Sequence, residues 1–125
     1  MIDHNTAFRT ILTSSGSVIA LVPATRIYKT WFPSNPTFPL ITYQKTNDYN
    51  DDEDYFDNEA KADNVEMECH VFTPPNTSTF TISNAVDTAV KAAGYNRDFS
   101  ADLQDPGDYG HTVMRYSKRT NTVFT

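Results

Sequence analysis

The segment from Val65 to Thr73 constrains the fold more than any other part of the chain. Apolar residues alternate there with polar or aromatic ones, and the two sets are Val65, Met67, Cys69 and Val71 on one side and Glu66, Glu68, His70 and Phe72 on the other. This alternation predicts a β-strand with one face in a core. Other elements of the chain then have to cover that apolar face.

Two amphipathic helices are predicted to supply the cover. Residues 77–93 carry apolar side chains at the spacing of one helical face, namely Ile82, Val86, Ala89, Val90 and Ala93. Gly94 follows them and is typical of a helix end. Residues 4–13 repeat the pattern with Ala7, Phe8, Ile11 and Leu12. We expect Ser17 to cap a short helical turn over residues 18–22.

Further segments have the composition of strands, and they are residues 26–29, 40–46, 95–103 and 109–116. Pro33, Pro36 and Pro39 predict an irregular surface loop before the second strand. The element order is therefore α-β-β-β-α-β-β. It indicates an α+β fold, with a mostly antiparallel β-sheet and helices packed on it, in a single domain over residues 1–125.

Acidic residues are concentrated between the second and third predicted strands. Residues 48–63 hold eight of the sixteen acidic side chains and one cation, Lys61. Mutual repulsion and low apolar content oppose packing, so we expect a flexible acidic loop at about 48–64.

The same segment partly fits a calcium-binding loop, which gives an alternative function as a small calcium- or ligand-binding module. Its candidate ligands at template positions 1, 3, 5 and 12 are Asp48, Asn50, Asp52 and Glu59. Position 6 requires glycine for a sharp turn, and Glu53 stands there. We therefore favour a solvated or partner-binding loop and assign no metal.

Other candidate chemistry is weak. Glu66, Glu68 and His70 share one strand face, but side chains along one strand rarely close around an ion. Cys69 and His70 are adjacent and so point to opposite faces, which prevents His70 from acting as the base for the thiol. The sequence contains no phosphate-binding glycine loop or nucleophile elbow. We predict no enzyme activity, no cofactor and three scattered histidines without a shared role.

Charge and hydropathy limit the partners. The formal net charge is −6, which argues against sequence-specific nucleic-acid binding. The single cysteine cannot form an internal disulfide and fits a reducing cytoplasm. No apolar run approaches the length of a membrane span, and the first residues do not resemble a secretory signal.

Aromatic and charged residues at expected surface positions are candidate partner or oligomer contacts. The candidates in the proline-rich loop are the aromatic residues Trp31 and Phe32. Those in the acidic segment are Asp51, Asp52, Glu53, Asp54, Tyr55 and Phe56. For Trp31 the alternative is a lid on the core. Arg115 and Arg119 give the C-terminal region a positive charge, which can complement the acidic segment of a neighbour in a ring.

The element order and several local patterns resemble the phage tail-completion family, whose members resemble tail-terminator and head-tail joining proteins. The resemblance spans Phe8 to about Lys118. It rests on the opening helix with residues 18–22, Arg26-Ile27-Tyr28, the run Phe38-Pro39-Leu40-Ile41-Thr42-Tyr43-Gln44, residues 65–73 with the following helix, Gly94-Tyr95-Asn96-Arg97, and Val113-Met114-Arg115-Tyr116.

This resemblance implies a structural virion protein without catalytic residues. Members of the family are expected to be monomers in solution that form a ring, expected to be a hexamer, at the top of the tail. Their implied partners are further copies, the tail-tube protein, and the head connector or neck proteins. The implied location is the host cytoplasm during assembly and then the head-tail junction of the virion.

Overall fold

The computed structural model describes residues 3–51 and 60–123, with the side chains of residues 3–49 and 64–119. Three helices pack on one sheet. The helices are α1 (His4–Ser14), α2 (Gly16–Leu21) and α3 (Phe80–Ala92), with a 3-10 turn at Ala24–Arg26. The strands are β1 (Ile27–Lys29), β2 (Leu40–Asp51), β3 (Ala60–Thr73), β4 (Asn96–Leu103) and β5 (Gly110–Val123).

The described strands form one five-stranded sheet in the order β1-β2-β3-β5-β4. β1 runs parallel to β2, and the other neighbouring strands are antiparallel. The α+β class and the element order predicted from the sequence are confirmed. The single-domain assignment stays a prediction.

The helices cover one face of the sheet, here called the inner face. The alternating set Val65, Met67, Cys69 and Val71 is buried there, as its spacing predicts. Phe8 of α1 is fully buried, and its ring centroid lies 5.7 Å from that of Tyr95 and 6.4 Å from that of Tyr116. Val86 and Val90 of α3 belong to the same cluster. Burial of these side chains supplies the main favourable free energy of folding.

Local capping differs from the prediction in one place. Ser15, rather than Ser17, caps α2, because the Ser15 side chain accepts a hydrogen bond from the Val18 amide at 3.4 Å. The N-cap of α1 is Asp3, whose carboxylate accepts from the Thr6 amide at 3.1 Å. Gly94 ends α3 at a φ of 96°, which the absence of a Cβ permits.

The expected acidic loop at 48–64 is too long. β2 continues to Asp51 and β3 begins at Ala60, and the two strands pair from Leu40 opposite Phe72 to Asp51 opposite Ala62. The pairing register explains why charge does not prevent this. Asp48 lies opposite Val65, Asp63 opposite Asn50 and Glu66 opposite Asn47. Like charges therefore avoid direct cross-strand opposition.

The far ends of β2, β3 and β5 form a three-stranded extension, here called the arm, comprising residues 46–51, 60–66 and 117–123. β1 pairs with residues 41–43 of β2, and β4 begins with Asn96 opposite Ser117 of β5. Among the described strands, the two outer edges of the arm therefore have no strand partner beyond these points. The predicted end of the last strand at residue 116 is seven residues too early.

Candidate functional site

The face of the sheet opposite the helices, here called the outer face, carries a second buried group. Phe72 points to this face and is fully buried. Its ring centroid lies 5.0 Å from that of Phe32 and 5.7 Å from that of Tyr109, and Tyr109 stacks on Phe38 at 5.3 Å. We call Phe32, Phe38, Phe72 and Tyr109 the outer-face aromatic cluster. It joins the proline-rich loop 30–39 to the loop 104–109.

Trp31 lies on the surface of this cluster. It stacks on Phe32 with ring centroids 4.5 Å apart, yet 64% of its surface remains exposed. The sequence allowed Trp31 either to pack on the core or to face a partner. In the structure Phe32 packs against the sheet, and Trp31 faces solvent. A partner contact at Trp31 stays a prediction. An exposed tryptophan already held by stacking is a suitable anchor for a partner.

A chain of hydrogen bonds runs beside the cluster on the outer face. Asp105 Oδ2 lies 2.5 Å from His111 Nδ1, and His111 Nε2 lies 2.7 Å from His70 Nδ1. His70 Nε2 lies 2.7 Å from Glu68 Oε1, and Arg115 Nε donates to Glu68 Oε2 at 3.1 Å. The chain ties loop 104–109 to β3 and β5.

The prediction that the histidines lie scattered is wrong for His70 and His111. They are 41 residues apart in sequence. In the pairing of β3 with β5, Phe72 lies opposite His111 and His70 lies opposite Val113. His70 and His111 are therefore diagonal neighbours on the same face of the sheet. Glu68 and His70 were recognised as sharing a face, but as possible metal ligands. In the structure they bond to each other, and among the described residues no group of three His, Cys, Asp or Glu side chains is arranged to hold a metal ion.

Burial and neighbouring charges act differently on the groups of this chain. Desolvation lowers the pKa of His111, which is 8% exposed, against the opposing effect of Asp105. The pKa of Glu68 is lowered in spite of desolvation, because it accepts hydrogen bonds from His70 and Arg115. Glu68 is therefore ionised near neutral pH.

The basic candidates Arg115 and Arg119 differ in their surroundings. Arg115 is bonded to Glu68, and its guanidinium carbon lies 5.0 Å from the centroid of the Phe99 ring. Its charge is thus partly compensated within the subunit. Arg119 is exposed and lies opposite Asn64 in the arm. Lys118 lies between them in sequence. Its ammonium group donates a hydrogen bond to the Ala93 carbonyl oxygen at 2.8 Å, which supplies a partner for a carbonyl at the C-terminal end of α3.

The acidic candidates lie mostly outside the described residues. Asp52, Glu53, Asp54, Tyr55 and Phe56 fall there, and for Asp51 the structure gives the backbone as the last residue of β2. Asp48 and Asn50, the first two candidate ligands of the calcium loop, belong to the extended strand β2. Asp48 also forms an ion pair with Lys45 at 3.1 Å. A calcium loop has to curve around the ion at these positions.

A partly buried network that the sequence reasoning missed connects α3 to the sheet. The hydroxyl of Tyr116 donates to Asp87 Oδ1 at 2.9 Å, and Tyr116 is fully buried. Asp87 also pairs with Lys91 at 3.1 Å and with Arg97 at 3.3 Å. The spacing of Asp87 and Lys91 by four residues was a visible signal for part of it. A groove of about 290 Å³ lies beside this network, between α3 and β4.

The Cys69 thiol is not poised for nucleophilic chemistry. It is fully buried on the inner face, and burial raises its pKa to about 12. His70 points to the outer face, in agreement with the strand alternation. A neutral buried thiol is a core side chain.

Comparison with known proteins gives one family. The family model described as tail completion protein gp17 matches residues 6–121. No individual curated protein gives a significant match. In the described part of the chain, every helix is too short or too polar to cross a membrane.

Proposed function

Since this chain belongs to the bacteriophage tail completion protein gp17 family, we propose that it acts as a ring of subunits that completes or terminates the phage tail and joins it to the head connector. The family match over residues 6–121 carries the proposal, because it includes every described helix and strand except the first two residues of α1 and the last two of β5. A tail completion protein is a structural virion protein and contacts other virion proteins. The partners proposed here are further copies, the tail-tube protein and the head connector or neck proteins.

The arm supports a role in assembly. Its β2 and β5 edges present backbone N–H and C=O groups that, within residues 3–51 and 60–123, no further strand takes up. Such edges favour contacts with other chains. The two edges lie on opposite sides of the arm, so a contact between the β2 edge of one subunit and the β5 edge of the next would be head to tail. Head-to-tail contacts that close produce a ring.

Charge supports the same arrangement. Residues 48–63 hold half of the acidic side chains of the protein, whereas Lys118 and Arg119 lie on β5. Acidic and basic regions on one subunit can complement each other between neighbouring subunits. The energy for completing the tail then comes from subunit contacts, and the role requires no catalytic residue. We propose that assembly occurs in the host cytoplasm and that the ring remains at the head-tail junction.

Native mass spectrometry of the full-length protein tests this function. The protein is measured alone, with its tail-tube protein, and with its connector protein. We expect a monomer alone and a ring, expected to be a hexamer, once the tail-tube partner is present. The connector protein should then bind to that ring.

The opposite result would be a protein that stays monomeric with every tail and connector component of its phage. If the protein forms a ring without partners, the proposed ring would be supported, and the expected monomer in solution would be contradicted. Binding to the tail tube without binding to the connector would support tail completion and contradict head joining.

A further inference from the structure

Two histidines on the outer face share a direct nitrogen contact, and all four of their ring nitrogens have partners. His111 contacts Asp105 through Nδ1 and His70 through Nε2. His70 contacts His111 through Nδ1 and Glu68 through Nε2. The order of groups is therefore carboxylate, imidazole, imidazole, carboxylate.

The geometry fixes the number of protons on the two rings. An ionised carboxylate only accepts hydrogen bonds, so His111 Nδ1 and His70 Nε2 both carry a proton. The contact between the rings, at 2.7 Å, requires one further proton, because two lone pairs would otherwise face each other. Three protons are one more than two neutral rings hold and one fewer than two imidazolium ions hold.

Burial decides which ring carries the positive charge. His111 is the more buried ring, with 7% of its side chain exposed against 20% for His70. Desolvation lowers the pKa of His111, which makes it the neutral ring. His70 then carries the charge, donates to His111 Nε2, and lies next to the ionised Glu68. Together with Arg115, two positive charges balance the two carboxylates.

The groups around the pair leave few alternatives for this charge. Glu68 of β3 and Asp105 of loop 104–109 contact the pair directly. Arg115 of β5 contacts Glu68, and Tyr109 contacts the neighbouring ring of Phe72. The cross-strand neighbour of His70 on β2 is Thr42, and that of His111 on β4 is Leu103; neither ionises near neutral pH. The proline-rich loop approaches the pair only through Phe32, whose ring packs against that of Phe72.

We propose that His70 and His111 form a one-proton latch, which holds loop 104–109 closed over the outer-face aromatic cluster while the pair shares one charge and releases the loop when the second ring is protonated. A second proton places two N–H groups and two positive charges against each other at the central contact. His111 must then turn away from His70. Because Asp105 contacts the sheet through His111, loop 104–109 then loses this attachment. Tyr109 is then held by its ring contacts with Phe38 and Phe72.

The sign of the pH dependence follows from His111. Its pKa in the folded protein lies below the ordinary value of 6.5, so the unfolded or released state binds the proton more readily. In the closed state the second protonation, at His111, is therefore disfavoured relative to the released state. The closed state is lost as the pH falls below 6.5 towards the lowered pKa.

Nitrogen-15 NMR of the histidine rings in the full-length protein tests the proton count directly. In the closed state, in which Trp31 emission is unchanged from that at neutral pH, we expect protons on His111 Nδ1 and His70 Nε2 and one further proton between the two rings. Finding His111 Nδ1 or His70 Nε2 without a proton in the closed state would overturn the latch. This measurement needs no variant and so does not depend on the folding of one.

Tryptophan fluorescence tests the release of the loop, because Trp31 is the single tryptophan and stacks on the cluster. On acidification we expect its emission to change below pH 6.5 and before far-UV circular dichroism reports unfolding. Asp105→Asn should move the midpoint to lower pH, since it removes a charge that raises the pKa of His111. Asp108→Asn, an exposed position in the same loop, is the matched control and should keep the wild-type midpoint.

Three results would contradict the latch. One is an emission change that occurs only together with global unfolding. Another is an Asp105→Asn variant that titrates like the wild type while remaining folded. The third is an equal shift in the Asp105→Asn and Asp108→Asn variants, which would indicate a general charge effect of the loop.

Discussion

Single residues of this protein acquire their roles from partners that are distant in sequence. Trp31 and Phe32 are adjacent, but Phe32 packs against Phe72 of β3 and Trp31 remains largely exposed. His70 and His111 become a pair only through strand pairing. The consequence is that one of two similar neighbours can serve the fold while the other remains free for a partner.

At the residue scale, Trp31→Ala should reduce phage yield without unfolding the protein. Trp31 is 64% exposed and its loss leaves Phe32 on Phe72, so we expect a small change in melting temperature. If Trp31 anchors a partner, yield should fall about tenfold or more, as for loss of an interface hot spot. The measurement is plaque yield after complementation of a phage that lacks the gene.

Phe80→Ala is the matched control for this change. Phe80 is also a large exposed aromatic residue, at 71%, but begins α3 on the other side of the sheet. Its loss should leave the yield near the wild-type level. Equal yields for Trp31→Ala and the wild type would remove Trp31 from the list of partner contacts.

At the scale of elements, close packing fixes where β5 begins. The first residue of β5, Gly110, lies against Thr73, the last residue of β3. A Cβ at Gly110 would lie 2.3 Å from Thr73 Oγ1 and 3.0 Å from the Thr77 carbonyl oxygen. The Thr73 hydroxyl donates to that same carbonyl at 2.8 Å. The end of β3 and the approach to α3 therefore depend on this glycine.

Gly110→Ala should lower the free energy of unfolding by about 1–3 kcal/mol, because the methyl group forces the Thr73–Thr77 contact apart. Gly16→Ala is the control: a Cβ there meets nothing within 4 Å, and the position is helical. That change should stabilise the protein by about 0.5–1 kcal/mol. Urea unfolding midpoints measure both. Indistinguishable midpoints for the two variants would contradict the packing argument.

At the scale of the whole molecule, several basic side chains are already paired within the subunit. Arg115 binds Glu68, and Lys91 and Arg97 bind Asp87. Acidic residues remain in excess in residues 48–63, and the formal net charge is −6. Isolated subunits therefore repel one another at long range, and ring formation requires local complementarity.

Ring formation should weaken with salt if acidic and basic regions of neighbouring subunits meet. Raising the salt concentration from about 0.05 M to about 0.5 M shortens the screening length several-fold, so the partner-induced ring should lose about tenfold in affinity. Light scattering at a series of salt concentrations measures this. Assembly that is unchanged or stronger at high salt would indicate an apolar interface, and the charge argument would then be wrong.

Short-range patterns predicted much of this fold. The alternation in residues 65–73 and the helical spacing in residues 77–93 arise from neighbours in sequence. Both elements were confirmed, but α3 begins at Phe80, three residues after the predicted start. The family resemblance was also readable at that level. The caps and the length of the acidic loop were less well predicted, because Ser15 competes with Ser17 and because the loop limits depend on strand pairing.

Long-range pairing supplied what local patterns could not. The register between β2, β3 and β5 keeps acidic residues away from one another and extends the strands into the arm. The same register brings His70 next to His111 and places Tyr116 beneath Asp87. Periodicity fixes which face a side chain occupies, whereas its partner depends on which strand lies beside it and at what offset. That offset is set by packing across the whole sheet.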